Sequence, residues 1–557
     1  MLRSRNFARF LGIAVLTMAV TAVGFVHAQD KKVITTGINM VGSDLETIDP
    51  GLAQTVSSVE IINELFVGLT TTNPKDNSLQ TGIASSFDVS KDSLTYTFHL
   101  ADNIPWVHYN KDTSAVEEVK DDKGAVRMVT ADDVVYGMLR GLDPKTASPY
   151  AYVYPDFIAG AGDFNAGKGK AEDVKIKAID AKTVEITAPS AVGFAPFIYG
   201  MWTLRPVPKW AIDAAGDKWT EAENINTYGP FALADWAHDT GLTLVKNPFW
   251  PATADVPSPK VDEVDFKFLD PQQQFAEYQA GNMDAISLDI SAIDQVKADP
   301  TLSKEYVNGT SFCTYYFGFN MKKAPLDNVH LRKALSYAID RQSIVDNVTK
   351  GGQIPAQWFA RPGLTAAPTL QDYPDLGIKS SNDEAKKELD LAKADLGGTI
   401  PQLTLAYGDT ASNAAISQAV QQMWTDTLGI TVQLTAMDSK TYFSKVHDDP
   451  PMIYRSGWCN DYADADNFDN VVFHTGSHQN DTSFSNADFD KLVDGARLET
   501  DLKKRTDAYA KAEDILVNQV AALAPIYWYT TNIMVKPNVE RAVSVTGAEA
   551  YFLWDKN

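Results

Sequence analysis

The sequence predicts an α/β protein built from several units, and three observations carry that prediction. Its 557 residues exceed what one hydrophobic core usually organises. Its composition, 44% hydrophobic with 22% charged residues, is that of a folded chain rather than a disordered one. The stretch from Leu403 to Leu434 alternates strand, helix and strand, whereas the first half is mixed and has fewer helices. No repeat of 20–50 residues occurs, which sets aside solenoids and propellers.

The N-terminus reads as an address. Arg3, Arg5 and Arg9 lead into the apolar run Phe10 to Val26, which ends in Val26-His27-Ala28 before Gln29. A basic start, a short apolar run and a small residue at the cut describe a secretory signal peptide over residues 1–28. Gly12, Thr17, Thr21 and Gly24 interrupt the run and favour cleavage over a membrane anchor. No cysteine lies near the cut, so no lipid would be attached. The mature chain would start at Gln29, its net charge moved from −23 to −26 by the loss of three arginines. So acidic a chain lacks the positive surface that non-specific nucleic-acid binding requires.

Further along, Leu94, Tyr96, Phe98 and Leu100 alternate on one face of a strand. The charged segment Asn110–Arg127 reads as a surface insertion before a helix that starts near Thr130, with a threonine cap and an acidic first turn. Thr183–Ala188, Gly241–Val245 and Val264–Leu269 read as strands. The runs Ala252–Lys260 and Gln353–Pro374 read as connectors. Leu331, Leu335 and Ala338 recur at helical spacing. In the clearest segment, Leu403–Tyr407 is a strand and Ile416, Val420, Met423, Trp424 and Leu428 follow at i, i+4, i+7, i+8 and i+12. Gly429 supplies a left-handed stop and Ile430–Leu434 a second strand, which predicts a parallel pair with a crossover helix.

Motifs that suggest catalysis lack their partners. Gly162 to Gly169 approaches a phosphate loop, but Gly169 stands where a magnesium-holding Ser or Thr belongs, so a surface turn is expected. His474 and His478 are four apart without helix support or an accompanying glutamate. Asp461, Asp464, Asp466 and Asp469 cluster without the spacing or glycine of a calcium loop. No Gly-x-Ser-x-Gly elbow occurs. Cys313 and Cys459 are the only cysteines, too few for a cysteine-built zinc or iron–sulfur site. In an oxidising compartment they can pair, or remain two buried thiols. No enzyme activity, cofactor or metal is expected.

Several stretches resemble one family. They are Leu45-Glu-Thr-Ile-Asp-Pro50, Ala84–Trp106, Val129–Tyr136, Asp143–Tyr150, Phe312–Phe317, Asn328–Val348 and Ser456-Gly-Trp-Cys-Asn-Asp-Tyr462. From about Ile34 to Pro537 the chain is similar to the family 5 extracellular solute-binding proteins of peptide ABC transporters, most closely their periplasmic oligopeptide-binding members. The resemblance implies a type II periplasmic-binding-protein-like α/β fold of three lobes with a hinged cleft between domains I and III. Domain I would comprise residues 29–66, 206–312 and 531–557, domain II 67–205, and domain III 313–530. It implies a monomeric periplasmic receptor that captures short peptides and delivers them to inner-membrane permease subunits.

The implied roles suit a peptide. Asp461 would answer its amine, because a buried ammonium needs a carboxylate, and Arg455 its carboxylate, with a planar fork matched to two oxygens. Gly457, Trp458 and Cys459 would run beside it as a strand, with Gln54–Val56 opposite. Tyr150, Tyr316, Trp458 and Tyr529 would line the pocket, and Cys313–Cys459 would form a disulfide near it. Three departures bear on the ligand. Gln54 replaces an acidic residue of a domain I strand, removing a charge that meets basic side chains. Ser439 replaces a tryptophan, and Asn413 and Thr349 replace a histidine and a lysine that hold the carboxylates of longer peptides. Short or altered ligands are therefore expected over long basic ones.

Overall fold

A single mixed sheet runs through most of the molecule and positions everything else. The computed structural model describes residues 31–38, 43–545 and 548–557; the signal peptide expected over 1–28 lies outside them. Among the described residues this sheet has eleven strands. They are β1 (Val33–Gly37), β2 (Phe231–Ala237), β3 (Gly241–Lys246), β4 (Glu263–Lys267), β5 (Ala285–Ser287) and β6 (Tyr306–Phe319). β7 (Ile354–Pro355), β8 (Leu403–Gly408), β9 (Val432–Met437), β10 (Ile453–Cys459) and β11 (Leu523–Val535) complete it. The order is β2-β3-β4-β1-β5-β11-β6-β10-β8-β9, with β7 against β11. From Lys32 onward the chain is one packed unit.

Two long antiparallel strands, β6 and β11, tie the halves of this sheet together. Tyr306–Thr310 pairs with Thr530–Met534 at one end and Thr314–Gly318 with Leu523–Trp528 at the other; the register shifts between Thr310 and Thr314. Both strands are rich in aromatic and β-branched residues, which suit a pleated surface buried on both faces. Alternation sends Tyr315, Phe317 and Tyr527 into one core and Phe312, Tyr316 and Trp528 into another. A third core joins the β1–β4 half to the segment containing Tyr96, Phe98 and Trp106. There a separate four-stranded sheet is ordered Ala84–Val89, Thr95–Leu100, Thr183–Thr187, Ile176–Asp180.

Local signals read from the sequence fall where they should. β8 and β9 are parallel, joined by a helix over Ala411–Leu428 that buries Ile416, Val420, Trp424 and Leu428 and stops at Gly429, φ 66°. The helix Ala131–Leu142 starts after Thr130, but its cap differs from expectation. The Thr130 hydroxyl and backbone N–H both donate to the Asp133 carboxylate at 2.9 Å, so the aspartate turns back to close the helix start. Residues 107–118 form a hairpin; of 162–169, expected as a surface turn, the first four belong to the short helix Ala161–Asn165 and only 166–169 turn.

Gln353–Pro374 is not a connector. Ala356, Trp358, Phe359 and Ala360 are fully buried, and the Phe359 and Ala360 N–H groups donate to the buried Glu513 carboxylate. Prolines and glycines give it irregular backbone while its aromatic residues fill a core. No helix among the described residues is long and apolar enough to cross a membrane.

Candidate functional site

Strand β10 has one paired edge and one that is mostly free. Its whole length, from Ile453 to Cys459, pairs antiparallel with β6, whereas β8 covers only Ile453 and Tyr454 on the other side. Beyond that point Ser456–Cys459 has no strand partner on this edge among the described residues, and all four residues border a cavity of about 1260 Å³. Buried backbone donors and acceptors require partners, so a free edge facing a cavity is a place where an extended chain can add. Gln54, Thr55, Val56, Tyr150 and Trp202 also line this cavity.

Asp461 lies just past the end of β10, on the cavity wall. Asn467, fully buried on the helix Asp466–Phe473, organises this corner. Its Nδ2 donates to Asp461 Oδ2 at 3.0 Å, while its Oδ1 accepts from the Asp461 backbone N–H and from Trp458 Nε1, each at 3.0 Å. The Tyr150 hydroxyl donates to Asp461 Oδ1 at 3.3 Å. Burial raises the Asp461 carboxyl from 3.8 to about 6, against the lowering effect of the Asn467 and Tyr150 hydrogen bonds. Burial and the neighbouring Asp461 also hold the Tyr150 phenol well above its ordinary range, so it remains a donor. Among the described residues no cation pairs with Asp461. The corner therefore holds a desolvated carboxylate whose most effective partner would be an ammonium group.

Arg455 is the counterpart, six residues earlier. It does not line the cavity, and neither does Tyr529. Arg455 Nη2 donates to the Tyr529 hydroxyl at 2.6 Å, and the guanidinium sits 4.5 Å from the Tyr315 ring centroid. Its Nε has no hydrogen-bond partner, and no described carboxylate pairs with it. The cationic head lies beside Gly457, where an added Cβ would sit 3.5 Å from Arg455 Nη2 and 3.6 Å from the Tyr529 hydroxyl, an ordinary contact.

The remaining expectations divide. Gln54, Val56, Tyr150, Tyr316, Gly457, Trp458, Cys459 and Asp461 all border the cavity. Tyr316 is mainly a core residue, packed edge-on against Phe359. Gln54–Val56 is not a strand: Thr55 caps the helix Val56–Leu65, its side chain accepting from the Ser58 N–H. Cys313 and Cys459 face each other across β6 and β10 and are joined in a disulfide.

Gln54 does not leave this wall uncharged. The Glu46 carboxylate accepts from its backbone N–H at 3.1 Å and its side-chain amide at 3.2 Å, so a negative charge stands beside the glutamine. The acidic cluster after Asp461 is structural. Asp464 pairs with Arg505 at 2.8 Å and Asp466 with Arg497 at 3.0 Å, while Asp469 lies against Glu513. Asn467, Glu46, Arg497 and Arg505 were missed by sequence reasoning. Asn467 and Asn470 both fall in the helix Asp466–Phe473, and nothing in that register singles out Asn467; the others depend on contacts made only by folding.

Residues 78–480 match the family described as bacterial extracellular solute-binding proteins, family 5. The chain is 31% identical over 560 residues to the oligopeptide-binding protein OppA of Bacillus subtilis, covering 97% of each. It is 30% identical to the periplasmic oligopeptide-binding protein OppA of Salmonella typhimurium, over 89% of this chain and 87% of that one. The structure of Haemophilus influenzae OppA in complex with RPPGFSPFR superposes with a TM-score of 0.78 at 27% identity, covering 95% of this chain and 99% of the other. A type II binding-protein α/β sheet with an internal cavity and these similarities agree: the chain belongs to the family 5 bacterial extracellular solute-binding proteins.

Proposed function

We propose that this protein is a receptor that captures short peptides by their backbone and termini and hands them to an ABC permease. One observation carries the reading: a free strand edge, Ser456–Cys459, ends at a desolvated carboxylate, Asp461, that no cation neutralises among the described residues. An extended peptide pairs with the edge, its ammonium meets Asp461 and its carboxylate meets Arg455. Asp461 and Arg455 are six residues apart, at most ~20 Å along an extended chain, a span that a tri- to pentapeptide and two side chains bridge. Main-chain pairing reads no sequence, so affinity comes without strong side-chain preference. The protein performs no chemistry; closure of the lobes is the signal.

The three-lobe division at 29–66, 206–312 and 531–557 (I), 67–205 (II) and 313–530 (III) belongs to this reading. The interrupted register between Thr310 and Thr314 supports a hinge at the junction of domains I and III. Export through a signal peptide, a periplasmic location and a monomeric state also belong to it.

The test is native mass spectrometry of the purified protein, then denaturation and refolding to strip ligand, then calorimetry with tri- to pentapeptides. Co-purified peptide and one tight site per chain are expected. No bound peptide, and no binding by refolded protein that is demonstrably folded, would overturn the assignment.

A further inference from the structure

His474 and His478 drew attention as neighbours in sequence, but the fold pairs His478 with a different histidine. His447, on the helix Ser439–Asp448, and His478, in the loop after Phe473, both border the cavity. Their Nε2 atoms are 3.0 Å apart, in a hydrogen bond whose shared proton a metal ion would displace. The ring centroids are only 4.4 Å apart, too close for the two nitrogens to point head-on along one line, so the two ring directions meet at an angle. Behind the pair, Asp481 Oδ1 lies 3.4 Å from His447 Nδ1. Asp481 thus stands behind the His447 ring at ion-pair distance, where a carboxylate supports a metal-bound histidine. His478 also packs 5.8 Å from the Tyr152 ring, and Gln479 donates to the Tyr152 hydroxyl, so the loop is braced.

We propose that His447 and His478 form a two-imidazole anchor for a late first-row divalent metal ion on the cavity wall, with Asp481 as the supporting carboxylate. With metal–nitrogen bonds of about 2.0–2.1 Å, nitrogens 3.0 Å apart subtend about 95° at the metal. That is a cis angle of tetragonal or octahedral coordination, whereas a tetrahedral ion needs about 3.3 Å between nitrogens. Cu²⁺ or Ni²⁺ therefore fits the pair as it stands, and Cu²⁺ binds imidazole most tightly in the series. Among the described residues no group of three or more His, Cys, Asp or Glu converges on a metal position. The anchor thus supplies two ligands, and the other positions open to whatever occupies the cavity. The site does not depend on the cavity taking peptides, and its test uses none.

The probe is Cu²⁺ added to chelator-stripped protein, read by calorimetry and by electron paramagnetic resonance. One site per chain is expected, with hyperfine coupling to two imidazole nitrogens in the wild type. His447→Gln and His478→Gln should each weaken it at least tenfold and together abolish it; His474→Gln should leave it unchanged. Coupling to one nitrogen or none in the wild type, or a double variant that is folded by circular dichroism and binds Cu²⁺ as the wild type does, would overturn the proposal.

Discussion

Replacing Asp461 by asparagine separates what this carboxylate costs the empty protein from what it gives the complex. Burial raises its pKa from 3.8 to about 6. A difference of about two in pKa corresponds to about 3 kcal/mol of penalty on the ionised form at neutral pH, and solvent access at this half-buried position reduces it to about 1–3 kcal/mol. The sign follows from the raised folded pKa: this group's contribution is most favourable below pH 3.8 and is lost as pH rises through about 6. The introduced asparagine keeps an oxygen for Asn467 Nδ2 and an amide that can donate to the Tyr150 oxygen. Asp461→Asn should therefore stabilise the empty protein at pH 7.5 by about 1–3 kcal/mol in urea titrations, and by much less at pH 4. Binding should move the other way. Leaving a buried ammonium unpaired costs about 2–5 kcal/mol, a loss of roughly 30- to several-thousand-fold in affinity for free-amine peptides. Acetylated peptides should lose almost nothing. Calorimetry at pH 6 in buffers of differing ionisation heat should register about half a proton released per wild-type binding event, because the arriving ammonium ionises a half-protonated Asp461. That release should vanish in the variant. A variant that is less stable when empty, or that binds free-amine peptides as the wild type does, would refute this reasoning.

Three further outcomes are expected. Arg455→Met should weaken tripeptides more than their C-terminally amidated forms, by about tenfold or more, since this guanidinium, which no described carboxylate pairs, is assigned to the peptide carboxylate; equal losses would mean a packing role. Glu46→Gln should weaken peptides carrying Lys or Arg by about three- to tenfold in competition assays while sparing neutral ones, because Glu46 supplies the charge that Gln54 lacks. Asp469→Asn should raise urea stability more at pH 8 than at pH 6. Burial lifts both Asp469 and Glu513, the latter to about 7, so their favourable, proton-sharing state is lost as pH rises through that value.

What the sequence made legible were local periodicities and short motifs. The strand–helix–strand from Leu403 is fixed by spacing within one segment and by a stop at Gly429, and it appears as read. The pairing of β6 with β11 was not legible, because the partners lie more than two hundred positions apart and neither strand alternates polar with apolar. Gln353–Pro374 was misread because proline and glycine set its composition while Trp358 and Phe359 decide its place. The corner at Asp461 was half legible. Its motif marks the carboxylate and the tryptophan, but Asn467, which holds both, announces itself only once the next helix folds back. The same holds for Glu46 beside Gln54 and for His447 beside His478. Each pair depends on where two segments meet, and neither segment alone carries the signal.

The central claim is that a peptide adds to the free edge of β10 with its ammonium at Asp461. A crystal structure of refolded, ligand-stripped protein grown with a saturating free-amine tripeptide tests it most directly. The peptide main chain is expected to be hydrogen-bonded along Ser456–Cys459, its nitrogen terminus within about 3 Å of an Asp461 oxygen. A peptide bound elsewhere in the cavity, or bound here with its amine turned away from Asp461, would contradict it.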